Sequence, residues 1–139
     1  MATHFKDGTA VITGSGSGMI SNCISFIFSH VAGIGRATAT LFARDGCTRL
    51  ALGDLSLPGL EETRKIIQEA YPTATVEIVR LDVANEGSVE AFYAQVVEKF
   101  GRIDFAANVA GYGHPAKPSV ELSEEDYNRS FDVNLKGVS

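Results

Sequence analysis

Two short glycine segments, Thr13-Gly14-Ser15-Gly16-Ser17-Gly18 and Gly33-Ile34-Gly35, decide how this chain reads. The run before the first, Thr-Ala-Val-Ile-Thr at 9–13, has strand character. After the second, Ile34, Ala37, Thr38, Leu41 and Phe42 recur at helical spacing, which predicts an amphipathic helix over 34–44. A strand that turns through glycines into a helix leaves backbone N–H groups free to face a phosphate at the helix N-terminus. Between the two segments lies a largely apolar stretch, and it splits the turn.

Outward from the turn, the chain alternates strands and helices. Asp45-Gly46 closes the first helix with a residue suited to a left-handed cap. A buried strand is expected over 49–54, ending in Asp54. Ser56 caps the next helix, with Pro58 in its first turn, Glu61 and Glu62 near its positive end, and Leu60, Ile66 and Ile67 on its apolar side. A third strand, 75–81, runs into Asp82-Val83. Asn85 caps a third helix whose stripe is Val89, Phe92, Val96 and Phe100, and Gly101 ends it. A fourth strand is expected over 103–109, then a Gly/Pro-rich loop over 111–118. Ser123-Glu124-Glu125-Asp126 opens a last helix that carries Tyr127, Phe131, Leu135 and Val138 and runs to the chain end.

Strand-helix units repeating at roughly thirty residues predict βαβ crossovers and a parallel sheet covered on both faces. The fold class is therefore α/β, a doubly wound, Rossmann-like sheet of about four strands in the order 3-2-1-4. Its crevice lies at the strands' carboxyl ends. Gly14, Asp54, Asp82 and Asn108 all fall at those ends.

The 139 residues, 45% hydrophobic and 21% charged, suit one globular domain. A net charge of −5 without a Lys/Arg cluster argues against nucleic-acid and anionic-membrane partners, and favours small molecules. Cys23 and Cys47 make no disulfide framework, and residues 1–10 lack the plan of a secretion signal, so a reducing cytoplasm is expected. The apolar run 19–31 contains Ser21, Asn22, Ser25, Ser29 and His30, too polar and too short to span a bilayer. No metal site is expected.

An acid at the end of strand 2 can accept from both ribose hydroxyls of an adenosine and repels a 2′-phosphate. Asp54 thus favours NAD over NADP; alternatively it is a solvated carboxylate capping the next helix. Asp82 has the same two readings, beside an adenine amino group or as a polar strand end.

Beyond these patterns, the chain resembles the N-terminal part of a short-chain dehydrogenase/reductase, from about Phe5 to Val138 apart from the interruption. The motifs are Thr13-Gly14 with Gly33-Ile34-Gly35 for the cofactor turn, Asp54 for the ribose, Asp82-Val83 for the adenine, Asn108-Val109-Ala110-Gly111 after strand 4, and Asn134-Leu135-Lys136-Gly137. A methyltransferase shares the glycine turn and the acid but explains neither asparagine segment. The resemblance implies cofactor contacts from Gly14, Ser17, Gly33, Ile34, Gly35, Asp54, Leu55, Asp82, Val83, Asn108, Ala110 and Gly111. It also implies an alcohol or ketone substrate, hydride transfer with a nicotinamide, and assembly of the full-length family as homo-oligomers. It places Asn134 in a catalytic tetrad with a Ser, a Tyr and a Lys, the last two spaced Tyr-x-x-x-Lys. Tyr71, Tyr93, Tyr112 and Tyr127 each lack a Lys four residues on. The expectation is a damaged N-terminal part, inactive alone; the alternative is a non-catalytic dinucleotide-binding module or regulatory splice form.

Deleting 19–33 restores Thr-Gly-Ser-Gly-Ser-Gly-Ile-Gly, which fits the family's spacing of the turn. The surplus reads as a translated intron. If Gly18 is GGT before the Met19 ATG, the junction is a good splice donor, and GCA for Ala32 before Gly33 completes an acceptor. Ser25-Phe26-Ile27-Phe28-Ser29 can be encoded by a pyrimidine-rich tract. The alternative is a surface insertion, whose closure costs at most a few kcal/mol.

Overall fold

A computed structural model describes residues 5–16, 33–113 and 118–139. Four parallel strands, β1 (Thr9–Thr13), β2 (Arg49–Asp54), β3 (Thr75–Arg80) and β4 (Phe105–Ala107), pair in the order β3-β2-β1-β4. This is the doubly wound order that the strand-helix alternation predicts. Four α-helices follow the strands in turn: α1 (Ile34–Arg44), α2 (Leu57–Ala70), α3 (Glu86–Phe100) and α4 (Glu124–Asn134).

The period-2 geometry of the central strands divides the core. On one face Ala10, Ile12, Leu50 and Leu52 pack against Ala39 and Ala43 of α1 and Leu60 and Ile67 of α2. On the other, Val11 and Ala51 pack against Phe92 and Val96 of α3. Both faces of β1 are therefore covered, and all five of its residues are buried. Phe5, Phe42 and Phe105 close the first face with ring centroids 4.9–6.0 Å apart.

The caps follow the local chemistry. The Ser56 hydroxyl accepts from Gly59 N at 3.3 Å, Asn85 Oδ1 accepts from Ser88 N at 2.9 Å, and Gly101 ends α3 at φ 77°. Ser123 and Asp126 form a reciprocal capping box.

Several expectations are corrected. Helix α1 buries only part of the stripe expected for it: Phe42 packs against the core, but Gly35, Ala39 and Ala43 hold the inward face, while Ile34 is 76% exposed and Leu41 also faces out. Small residues every fourth position let the helix axis approach the sheet closely, so residue size misled the reading of the face. On α2, Thr63 takes the inward place beside Leu60 and Ile67, and Ile66 is exposed. Glu61 and Glu62 lie beyond the first turn and instead pair with Arg64 and Arg36. Strand β3 stops at Arg80, and β4 is shorter than 103–109 because only Phe105–Ala107 matches β1 in register. Helix α4 ends at Asn134, and Lys136–Val138 forms a separate 3-10 turn.

Among the described residues, β4 pairs only with β1, leaving its other edge open. In addition, Val120, Tyr127, Phe131, Leu135 and Val138 are exposed, and α4 buries none of its side chains. An open edge with apolar surface drives association. The 139-residue chain is therefore expected to self-associate or aggregate with rising concentration in light scattering. A monodisperse monomer that unfolds cooperatively would contradict this.

At the opposite end of the sheet, the Asp104 carboxylate accepts from Thr9 N at 2.9 Å and lies beside the Arg102 guanidinium. The Arg102 hydrogen bond, followed by that of Thr9, holds its carboxyl below the ordinary 3.8. The folded chain then binds fewer protons than the unfolded chain, so this stabilisation is present above about pH 4 and is lost as pH falls further. Thermal melts are expected to show Asp104→Asn less stable than wild type at neutral pH, with the gap closing in acid. A gap that stays constant with pH would refute the assignment.

Candidate functional site

The carboxyl ends of β1, β2 and β4 converge on the first glycine segment. Gly14 leaves β1 at φ 70°, a left-handed conformation that glycine adopts without strain, and its N–H donates to Gly53 O at 2.8 Å. A Cβ there would sit 2.7 Å from Ala110 N, so the turn lies directly against the segment after β4. The Thr13 hydroxyl fixes that approach by accepting from Val109 N and Ala110 N, both at 3.1 Å.

The second glycine segment returns to the first. Gly35, buried in the first turn of α1, faces the backbone of Gly14 and Ser15, and a Cβ on it would collide with the Gly14 carbonyl oxygen. Gly14 and Gly35 thus touch, although twenty residues lie between them in sequence. Gly33 caps α1 with no side-chain hydrogen bond, and the first turn holds no acid. Among the described residues of the helix start, no side chain caps the positive end of the helix dipole.

Asp54, the last residue of β2, reaches the same turn. Its Oδ2 accepts from Gly16 N at 3.0 Å and its Oδ1 from Ser56 N at 2.9 Å. The carboxylate thus holds the entry to α2 and at the same time faces the glycine turn. An ionised carboxylate offers about four acceptor positions, so room for hydroxyl donors remains. Leu55 beside it is 51% exposed.

Asp82 follows β3, and its Oδ1 accepts from Ala84 N at 3.0 Å at the entry to α3. Val83 packs on the α3 side of the core and meets Gly137, where a Cβ would lie 2.9 Å from Val83 Cγ2. Asn108 and Gly111 are exposed beyond β4. Asn134, the last residue of α4, accepts from Tyr112 N through Oδ1 at 2.7 Å and donates through Nδ2 to Tyr112 O at 2.9 Å. Arg129, on the same helix, stacks its guanidinium 4.6 Å from the Tyr112 ring centroid. The asparagine amide therefore anchors α4 to the loop after β4.

Gly14, Gly33, Ile34, Gly35, Asp54, Asn108, Ala110 and Gly111 thus belong to the carboxyl-end cluster, Asp82 and Val83 stand at the adjoining strand end, and Ser17 and residues 19–32 lie outside the described residues. Sequence reasoning missed Arg36 and Thr63. Among the described residues, no three His, Cys, Asp or Glu side chains cluster as metal ligands, and no helix is long and apolar enough to cross a membrane.

This cradle meets the needs of a dinucleotide. Backbone packs where Cβ atoms would otherwise stand, an uncapped helix start faces the turn, and a carboxylate stands at the neighbouring strand end.

The family model described as enoyl-(acyl carrier protein) reductase matches residues 29–139. Levodione reductase of Leifsonia aquatica is 35% identical over 136 residues. The chain belongs to the short-chain dehydrogenase/reductase family. That alignment covers 98% of this chain and 45% of the relative. The crystal structure of levodione reductase superposes with a TM-score of 0.82, at 34% identity, over 97% of this chain and 46% of the other. A 3-ketoacyl-(acyl-carrier-protein) reductase from Brucella melitensis complexed with NADH gives 0.76 at 28% identity, covering 96% and 47%. An alcohol dehydrogenase from Thermococcus sibiricus complexed with 5-hydroxy-NADP gives 0.75 at 36%, covering 94% and 48%. The chain spans about half the length of the relatives it matches.

Proposed function

We propose that this chain is the cofactor-binding half of an NAD-dependent oxidoreductase that moves a hydride between nicotinamide and an alcohol or ketone, and that the 139 residues bind the cofactor without turning it over. The observation that carries the reading is the contact of Gly35 with Gly14 beside Asp54: a dinucleotide cradle assembled from two separated segments. NADH and an NADP analogue in the named structures support a nicotinamide dinucleotide, and Asp54 favours the form without a 2′-phosphate.

The roles divide by element. The turn at Gly14 and the start of α1 at Gly33, Ile34 and Gly35, with Ser17, hold the pyrophosphate. Asp54 and Leu55 take the adenosine ribose, Asp82 and Val83 the adenine, and Asn108, Ala110 and Gly111 line the route toward the nicotinamide, which supplies the hydride chemistry when bound. Asn134 is the one member of the family's catalytic tetrad that this sequence matches, and the Tyr112 backbone holds its amide in place. None of the four tyrosines is followed four residues later by a lysine, so the general acid/base of the family is absent from this sequence.

Calorimetric titration with NADH, run beside an absorbance assay with NAD and secondary alcohols, tests this reading. Saturable binding without turnover is expected. Absence of binding, or turnover by the chain alone, would overturn it.

Residues 19–33 are, on the same reading, a retained intron, supported by the recovery of a family-like turn on their removal. Transcript sequencing decides this, and a message that keeps the segment under all conditions would refute it.

A further inference from the structure

One peptide unit in the glycine turn is gripped at both ends. The bond between Ser15 and Gly16 presents its carbonyl to α2 and its N–H to β2. Thr63 Oγ1 donates to Ser15 O at 2.7 Å, and Gly16 N donates to Asp54 Oδ2 at 3.0 Å. Thr63 is fully buried in the interior of α2, where a hydroxyl without partners would be costly. Its oxygen accepts from Arg36 Nε at 2.9 Å, and Gly59 O lies 3.0 Å away as a second acceptor. The guanidinium of Arg36 also reaches Glu62 Oε2 at 2.8 Å, and only 15% of the Arg36 side chain is exposed. Gly59 carries no side chain because the Gly16 carbonyl fills that space.

Ser15 precedes the interruption, and Arg36 follows it at the start of α1. Covalently they are joined through residues 16–35; through space they meet on one threonine of α2. We propose that Thr63, together with Arg36, is a positioning pair for the cofactor turn: it sets the Ser15–Gly16 peptide plane and fastens the two separated glycine segments to each other across α2. With Arg36 donating to its oxygen, the Thr63 hydroxyl proton goes to an acceptor, and the Ser15 carbonyl is the nearer one. That orientation keeps the Gly16 N–H on Asp54. A flipped peptide would turn the Gly16 N–H away and bring a carbonyl oxygen toward the Asp54 carboxylate, disturbing the group assigned to the ribose. The role in cofactor binding rests on the dinucleotide reading above; the clamp itself does not.

The test uses the full chain labelled with nitrogen-15. In Thr63→Val the Gly16 amide is expected to exchange about tenfold faster with solvent deuterium, while the Gly14 amide, bonded to Gly53 O, is unchanged. Affinity for NADH is expected to fall by about tenfold. Thr63→Ser restores both, which the general cost of a buried substitution would not do. Arg36→Lys, which keeps the charge and loses Nε, shifts both in the same direction and serves if Thr63→Val does not fold. Unchanged Gly16 exchange in both variants overturns the clamp. Faster exchange with unchanged NADH affinity overturns its role in positioning. If the wild type binds no NADH, the dinucleotide reading fails, and the exchange comparison still decides whether the clamp exists.

Discussion

Gly35→Ala is expected to weaken NADH binding on the order of 100-fold, the scale on which an ångström-sized misplacement acts in a preorganised site. The new Cβ meets the Gly14 carbonyl, which is backbone and cannot rotate away. Either α1 retreats from the sheet or the Gly14 turn opens, and both separate the helix start from the strand end. Overpacking of this kind costs about 1–3 kcal/mol of stability, so the melting temperature should fall as well. Gly87→Ala is the control, because a Cβ there finds its nearest neighbour, Asn85 Oδ1, at 3.5 Å. Equal NADH affinity in wild type and Gly35→Ala would remove Gly35 from the cradle.

The second large effect is a gain. Deleting residues 19–33 joins Gly18 to Ile34 and leaves the described contacts of Gly14, Gly16 and Gly35 in place. Closing a flexible loop of this length costs roughly 2 kcal/mol, so the shortened chain should be more stable by about that amount in urea. NADH affinity should rise by at least about tenfold, as a turn held by its own backbone needs less ordering on binding. A deletion that lowers both quantities would make the segment an integral part of the fold.

Much of this architecture was legible because strand and helix signals alternate regularly over the described residues. Strand order follows from the alternation of elements, and the caps at Ser56, Asn85, Gly101 and Ser123 were readable from residue type, since each satisfies a backbone group that the helix leaves open. What failed to read has two physical causes. The inward face of α1 is made of Gly35, Ala39 and Ala43, and periodicity counts large apolar residues, so Ile34 and Leu41 drew the assignment to the wrong side. Helix α4 was read through Leu135 and Val138 on hydropathy, yet it ends where the Asn134 amide turns to the Tyr112 backbone. That termination is a tertiary contact and leaves no mark in local sequence.

The site was legible as residues and not as contacts. Asp54 and the glycines were named from the chain, but the hydrogen bond of Gly16 to Asp54 and the meeting of Gly14 with Gly35 depend on how β1, β2 and α1 stack. Thr63 and Arg36 carry no motif of their own. They matter because α2 passes beside the turn, which only the packed sheet reveals.

Amide hydrogen exchange of the chain with and without saturating NADH tests the central claim most directly, since it reports where the cofactor lies without requiring turnover. Protection is predicted at Gly14–Gly16, at Gly33–Gly35 and around Asp54, both glycine segments responding together. Protection confined to one segment, placed elsewhere, or absent would contradict a cradle built from the two halves of a divided turn.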